Sequence, residues 1–381
     1  MNNKIKNLFF LSFGHFSNDL YPGMLSPLLP VFIDKFGWNM AQAGFLVTAL
    51  NIVANITQPA FGIINDKKPS RAFLWIGLLI VGLPFLFIMN ISSYTLMIAA
   101  MIVCGIGVGC YHPVAVVAAG LLADEKHRGL SMAFFTAGGQ ISFMVAPLIA
   151  VLIIEHAGES WMPFIALPGI LTAMYFFRNR SIAVNKGHGL SLGEWFLSIR
   201  SNGRELLILW IVSSFSSITQ MLVNSFLPML AMARGWSYSS SAYILSASLF
   251  ASMLGTIIGG HLSDIHGRKK IVALTMLAAA PLYYTFLFTS GLFSIAFLIM
   301  GTAVLASTIP VIIILAQRTN PKLAGMASSL VMGLSYTMGA IAATPFGALA
   351  DKIGIEKSMF FPMILPVIGG LVIFLLKNNN D

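Results

Sequence analysis

Charge is what this chain most lacks. Only 9% of its 381 residues are Asp, Glu, Lys or Arg, where an ordinary soluble domain carries about a quarter. So little charge cannot cover a water-facing surface, and most of this surface must meet something other than water. Cysteine is almost missing as well. Cys104 and Cys110 are the only two, and at six positions apart on one helix they face different directions, which excludes a disulfide framework or a cysteine metal cluster. There is no phosphate-binding glycine loop and no HExxH pair, so neither a zinc hydrolase nor an ATP-driven pump is supported. No enzyme activity, cofactor or bound metal is expected. The net charge of +9 would suit nucleic acid only if the cations gathered on one soluble face. They are scattered among short loops, so no nucleic-acid partner is expected.

What the chain does have is apolar length. Hydrophobic residues make up 57% of it, in blocks long enough to cross about 30 Å of hydrocarbon, which takes about 20 residues as a helix. Twelve such blocks fit, with short connections between them. The opening MNNKIKNLFF is charged like the start of a signal peptide, yet His15, Asn18, Asp19 and several prolines follow and no small-residue cleavage site does. It is read as the first span. The expectation is an all-α membrane protein of twelve transmembrane helices.

Four cations, Lys35, Arg234, Lys352 and Lys357, fall on one side of these spans, and the rest of the 22 fall on the side of the N-terminus. The positive-inside rule then places both termini in the cytoplasm, with the protein in the inner membrane of the cell. The longest polar stretch, between Arg178 and Arg204, divides the chain into an N-terminal bundle (1–178), a linker (179–204) and a C-terminal bundle (205–381). Leu192, Trp195, Phe196 and Ile199 recur in that linker at helical spacing, which predicts a short amphipathic helix on the membrane surface.

An internal repeat links the two bundles. At an offset of 198, Leu29-Pro30 matches Leu227-Pro228, Gly37-Trp38 matches Gly235-Trp236, and Gly62 with Asp66 matches Gly260 with Asp264. Glycine, proline and tryptophan at turns and helix ends report shared backbone geometry. The offset spans an even number of helices, so the halves are parallel six-helix repeats.

These residues carry a resemblance. The stretch GGHLSDIHGRKK, Gly259 to Lys270, resembles the cytoplasmic signature of the major facilitator superfamily, and GIINDKKPSR, Gly62 to Arg71, is a partial copy with Pro69-Ser70 where Gly-Arg is usual. The resemblance implies a transporter that rocks two bundles about a central cavity, with Asp66, Arg71, Asp264 and Arg268 in a charged gate. More narrowly, His15, Asn18 and Asp19 followed by PLLP, then Gln58-Pro59, Tyr111-His112-Pro113 and GGQ from Gly138, are similar to the fosmidomycin resistance family of drug efflux proteins. Val114 and Val117 stand where that family carries an acid and a base, so its phosphonate substrate is not implied. Ala146-Pro147 replaces the Gly-Pro associated with antiporters.

Asp19 is the acid that falls inside a span. It lies about 16 Å along its helix, roughly at mid-membrane, where an ionisable group marks function by default. His15 precedes it by one helical turn and shares its face, and depth brings His112 on the fourth helix level with His15. The three are the expected proton-coupling residues. The repeat maps Asp19, His15 and Asn18 to Ser217, Ser213 and Ser216, so the second half holds only neutral polar groups. Asn18, Tyr111, Gln140, Gln220 and Asn224 are the expected substrate contacts. Pro22, Pro27 and Pro30 weaken the first helix beside Asp19.

The sequence therefore predicts a monomeric secondary transporter in the lipid bilayer that moves a small organic compound out of the cell against a proton flow. Proton-coupled uptake of a metabolite or siderophore, or lipid flipping, are the alternatives.

Overall fold

The computed structural model describes residues 3–122, 128–179, 182, 192–319 and 324–376. No strand occurs among them. Thirteen α-helices do: α1 (Asn3–Phe36), α2 (Met40–Lys67), α3 (Ala72–Gly82), α4 (Tyr94–Leu122), α5 (Arg128–Val151), α6 (Ala166–Arg178), α7 (Leu192–Ala233), α8 (Tyr238–His266), α9 (Arg268–Phe288), α10 (Gly291–Ala306), α11 (Thr308–Thr319), α12 (Ala324–Ile353) and α13 (Ile355–Val372). Short tight turns extend α3 to Asn90 and precede α6 from Glu159. The apolar stretch from Gly291 to Thr319 is broken at Ser307 into α10 and α11. With those two counted as one crossing, the described helices make twelve.

Ten of the stretches are long and apolar enough to cross a membrane. The remaining two crossings, α1 and α12, differ in composition. In α1, His15, Asn18, Asp19 and neighbouring serines dilute the hydrophobic run, so its hydropathy drops where its chemistry lies. In α12 much of the sequence is Gly, Ala, Ser and Thr, the small residues by which membrane helices pack closely.

The chain divides into two compact units, one formed by 1–38 and 45–189, the other by 39–44 and 190–381. Each has the same internal order. In the first, α1 packs chiefly on α5, α3 on α4, and α3 on α6; in the second, α7 packs on α12, α9 on α10, and α9 on α13. The glycine pair of the repeat holds in detail, because α1 and α7 are followed by Gly37 and Gly235, both with positive φ, at 67° and 84°. That conformation costs glycine nothing and other residues about 1–2 kcal/mol.

A clamp that the sequence comparison missed also recurs. Lys35, at the end of α1, donates to Met89 O at 3.0 Å and to the Glu159 carboxylate. Arg234, just past α7, donates to Leu287 O at 2.9 Å, to Phe286 O at 3.0 Å and to Glu356 at 2.8 Å. In both units a cation thus ties off the carbonyls at the end of the third crossing and an acid at the start of the sixth, and unpaired C-terminal carbonyls are the groups a helix leaves open. Met89 and Leu287 are in the 198 register, but the cation and the acid are each displaced from it by one residue, in opposite directions, which hid them from comparison at a fixed offset.

The first turn of α2 belongs with the second unit, where Asp351 caps it by accepting the Met40 and Ala41 N–H groups at 2.8 and 2.9 Å. The helix expected in the linker is the beginning of α7, which runs unbroken from Leu192 to Ala233. The side chains that define its expected amphipathic face, Leu192, Trp195, Phe196 and Ile199, lie outside the described ones.

Candidate functional site

The first unit builds its site where α1, α4 and α5 meet. His15 and Asp19 lie one turn apart on α1, and their side chains meet at 3.2 Å, His15 Nε2 to Asp19 Oδ2. From α4, His112 Nε2 reaches the other carboxylate oxygen, Oδ1, at 3.0 Å. Asp19 and His15 are shut in, 7% and 9% exposed, while His112 is half-buried. The two imidazoles stand edge to face, 5.0 Å apart, and Phe135 of α5 stacks on His15 with 4.5 Å between ring centres.

Each imidazole is oriented from behind. His15 Nδ1 lies 3.0 Å from Phe135 O, and His112 Nδ1 lies 3.0 Å from Val108 O. A carbonyl only accepts, so both Nδ1 atoms must carry the proton and donate. The second nitrogen of each ring, Nε2, then faces a carboxylate oxygen across a hydrogen-bond gap. Neither gap closes without a proton of its own, since a bare imidazole nitrogen and a carboxylate oxygen are both acceptors. With both gaps bridged, the trio would hold two exchangeable protons around Asp19 and carry one net positive charge. Removing them leaves two pairs of facing lone pairs in a buried place, an arrangement that must rearrange or take in a cation.

Close helix approach makes the trio possible. The GGQ run on α5 lies against α1: a Cβ added at Gly138 would sit 2.2 Å from Ser12 O, and one added at Gly139 would sit 2.6 Å from Asp19 Oδ2 and 2.7 Å from His15 Nε2. Ser12 Oγ donates to Phe134 O at 2.8 Å and fastens the same pair of helices. Gly139 is therefore part of the site, and sequence reasoning singled out only the motif around it. A glycine in a membrane helix signals close packing, not what it packs against.

The other expected residues are placed variously. Asn18 is fully buried and neither atom of its amide has a partner, an unusual cost for a buried polar group. Tyr111 is also fully buried, and its hydroxyl donates to Leu11 O at 2.9 Å. It fastens α4 to α1 beneath the trio, within a core that includes Leu74, Leu78 and Phe176. Gln140 is exposed, next to Gly139. In the second unit Gln220 donates to Ser216 Oγ at 2.9 Å, and Asn224 Oδ1 is buried with no partner. Ser213, Ser216 and Ser217 line a small cavity with Tyr336. Asp264 and Arg268 pair at 3.0 Å across the α8–α9 turn, whereas Arg71 donates to Asn179 O at 3.1 Å and not to Asp66.

The ligand-type atoms of His15, Asp19 and His112 all lie within 4.8 Å of one another, near enough for a cation. Each already has a hydrogen-bond partner inside the trio, and protons alone account for the geometry.

With this geometry in place, the comparisons with known proteins are specific. Residues 11–343 match the family model described as Major Facilitator Superfamily. The chain is 28% identical to the MFS-type transporter YfnC of Bacillus subtilis over 378 residues, covering 96% of this chain and 91% of that protein. It is also 28% identical to the fosmidomycin resistance protein of Escherichia coli over 382 residues, covering 97% and 92%. Among solved structures, a bacterial homologue of the human lysosomal transporter Spinster, in an inward-facing and occupied conformation, superposes with a TM-score of 0.84 at 14% identity, covering 97% of this chain and 96% of that one. At that identity the likeness concerns the fold.

Proposed function

Because the chain belongs to the Major Facilitator Superfamily, whose members are multi-pass membrane transporters, we propose that it is a proton-coupled secondary transporter that exports a small organic compound across the inner membrane, with both termini in the cytoplasm and a single chain as the working unit. The observation that carries this is the His15–Asp19–His112 trio, buried at His15 and Asp19 and half-buried at His112, which needs two protons to complete its hydrogen bonds. In the cycle we envisage, the trio takes up protons from outside, gives them up inside, and its rearrangement on losing them is coupled to the rocking that exposes the cavity to each side in turn. The asymmetry of the halves supports a division of labour. The proton site lies in the first unit, while Gln220, Asn224 and the α7 serines offer neutral hydrogen-bonding groups to the substrate from the second. Asn18, buried beside Asp19 without a partner, gains one when substrate or water enters. Asp66, Arg71, Asp264 and Arg268 serve the cytoplasmic gate.

Export is favoured by the relative that is a resistance protein. Uptake is the second reading, and the D-xylose-proton symporter among the structural neighbours shows that the fold serves that direction in another protein. Cells lacking the protein and cells overproducing it, challenged with a panel of drugs and metabolites, separate the two. Export predicts that overproduction lowers accumulation of the affected compound and that collapsing the proton gradient restores it. Higher accumulation on overproduction would establish uptake and overturn export.

A further inference from the structure

A cavity of about 690 Å³ opens where α1 begins and α6 ends, and none of the trio lines it. Its lining has two kinds of residue. Lys6, Arg178 and the amides Asn7 and Asn179 form one rim, and Phe10, Leu171, Met174 and Tyr175 form the wall. The wall continues onto lipid-facing surface, for Leu171 is 61% exposed and Met174 47%, with Phe9 and Phe177 exposed beside them. The two cations have no carboxylate partner among the described residues. Lys6 instead lies 5.8 Å from the centre of the Tyr175 ring. Asn7, Tyr175 and Asn179 hold one another at 2.8–2.9 Å, and Arg71 grips Asn179 O, so the floor is built and a third cation stands close by. Among the described residues no acid lines the cavity.

We propose that this cleft between α1 and α6 is a binding site for one anionic phospholipid, its phosphate diester held between Lys6 and Arg178 and an acyl chain laid along Phe10, Leu171 and Met174. Charge complementarity argues for the headgroup, since two unpaired cations at a membrane edge attract an anion, and basic pockets between membrane helices at the cytoplasmic face suit acidic lipid headgroups. Continuity of the apolar wall with exposed helix surface argues for an attached tail, which a soluble anion lacks. The positive-inside count puts this end of α1 and α6 in the cytoplasm. The proposal is independent of the proton site and of the direction of transport.

The test is native mass spectrometry of the purified full-length protein, titrated with phosphatidylglycerol and with phosphatidylcholine of the same chains, alongside the double variant Lys6→Gln/Arg178→Gln and the variant Leu171→Trp. All three positions are exposed, and unchanged thermal melting verifies the fold. The wild-type protein should bind the anionic lipid about tenfold more tightly than the zwitterionic one. The double variant should lose that preference, and Leu171→Trp should weaken binding of both lipids with the charges intact. An undiminished preference in the double variant would overturn the assignment, as would unaltered binding by Leu171→Trp. Displacement of the lipid by glycerol phosphate at millimolar concentration would also overturn it, because it would mark a site for a soluble anion.

Discussion

Replacing Asp19 with Asn leaves a folded protein whose proton-driven transport falls about a hundredfold, the scale of losing a positioned proton-transfer group. The substitution preserves shape. The introduced amide can donate to one imidazole and accept from the other, so both gaps around position 19 remain closed. What it removes is the negative charge that balances a second proton. The trio then holds one proton in place of two, and its geometry no longer depends on giving them up. In proteoliposomes, a pH gradient should drive substrate against its concentration in the wild type and not in the variant, while downhill exchange of substrate persists. Transport by Asp19→Asn that responds undiminished to the gradient would remove Asp19 from the coupling mechanism.

The second large effect belongs to Gly139. A methyl group there falls 2.6 Å from Asp19 Oδ2 and 2.7 Å from His15 Nε2, inside the contact distance of any carbon, so Gly139→Ala forces α5 away from α1 or drives the carboxylate off His15. Overpacking of this kind costs about 1–3 kcal/mol, and Gly139→Val costs more because its branched side chain has one preferred rotamer in a helix. Gly260 supplies the control. It is also helical, and a Cβ added there meets nothing within 4 Å, so Gly260→Ala should be neutral or stabilising by up to about 1 kcal/mol. Thermal melts in detergent should rank the wild type and Gly260→Ala above Gly139→Ala and Gly139→Val, and gradient-driven transport should follow the same order. Equal stability and activity for Gly139→Ala would mean that the trio has more room than its distances allow.

The parts of this molecule that were legible in its sequence are those where membrane physics leaves little choice. Spans are visible because backbone and side chains must both be satisfied without water. Asp19 stood out because a carboxylate inside a span is rare and costly, and His15 followed from the turn of helix between them. His112 needed both the depth argument and the family resemblance, and the structure places its imidazole 3.0 Å from Asp19.

Other features were hidden for reasons that can be named. The paired clamps at Lys35 and Arg234 escaped a fixed-offset comparison because a cation and its acid can each slip by one residue and still meet at the same carbonyl. The carbonyls that orient the imidazoles belong to Phe135 and Val108, and every residue has a carbonyl, so no sequence pattern marks them. Tyr111 sits in the motif with His112, yet its hydroxyl is spent on Leu11 O. Adjacent residues on a helix point about 100° apart, so one motif can serve a site and a fastening at once. The break at Ser307 between α10 and α11 lies just before Pro310, which has no N–H to return to the preceding turn, but the unbroken apolar run around it masks that signal.

The central claim is that His15 and His112 each hold a proton on Nδ1 and share another with Asp19. Nitrogen NMR of the histidine-labelled protein in lipid bilayers, assigned with His15→Gln and His112→Gln, measures this directly. Both rings should show a protonated Nδ1 and an Nε2 in a strong hydrogen bond that weakens in Asp19→Asn. A neutral ring protonated only on Nε2, at either position, would contradict the account.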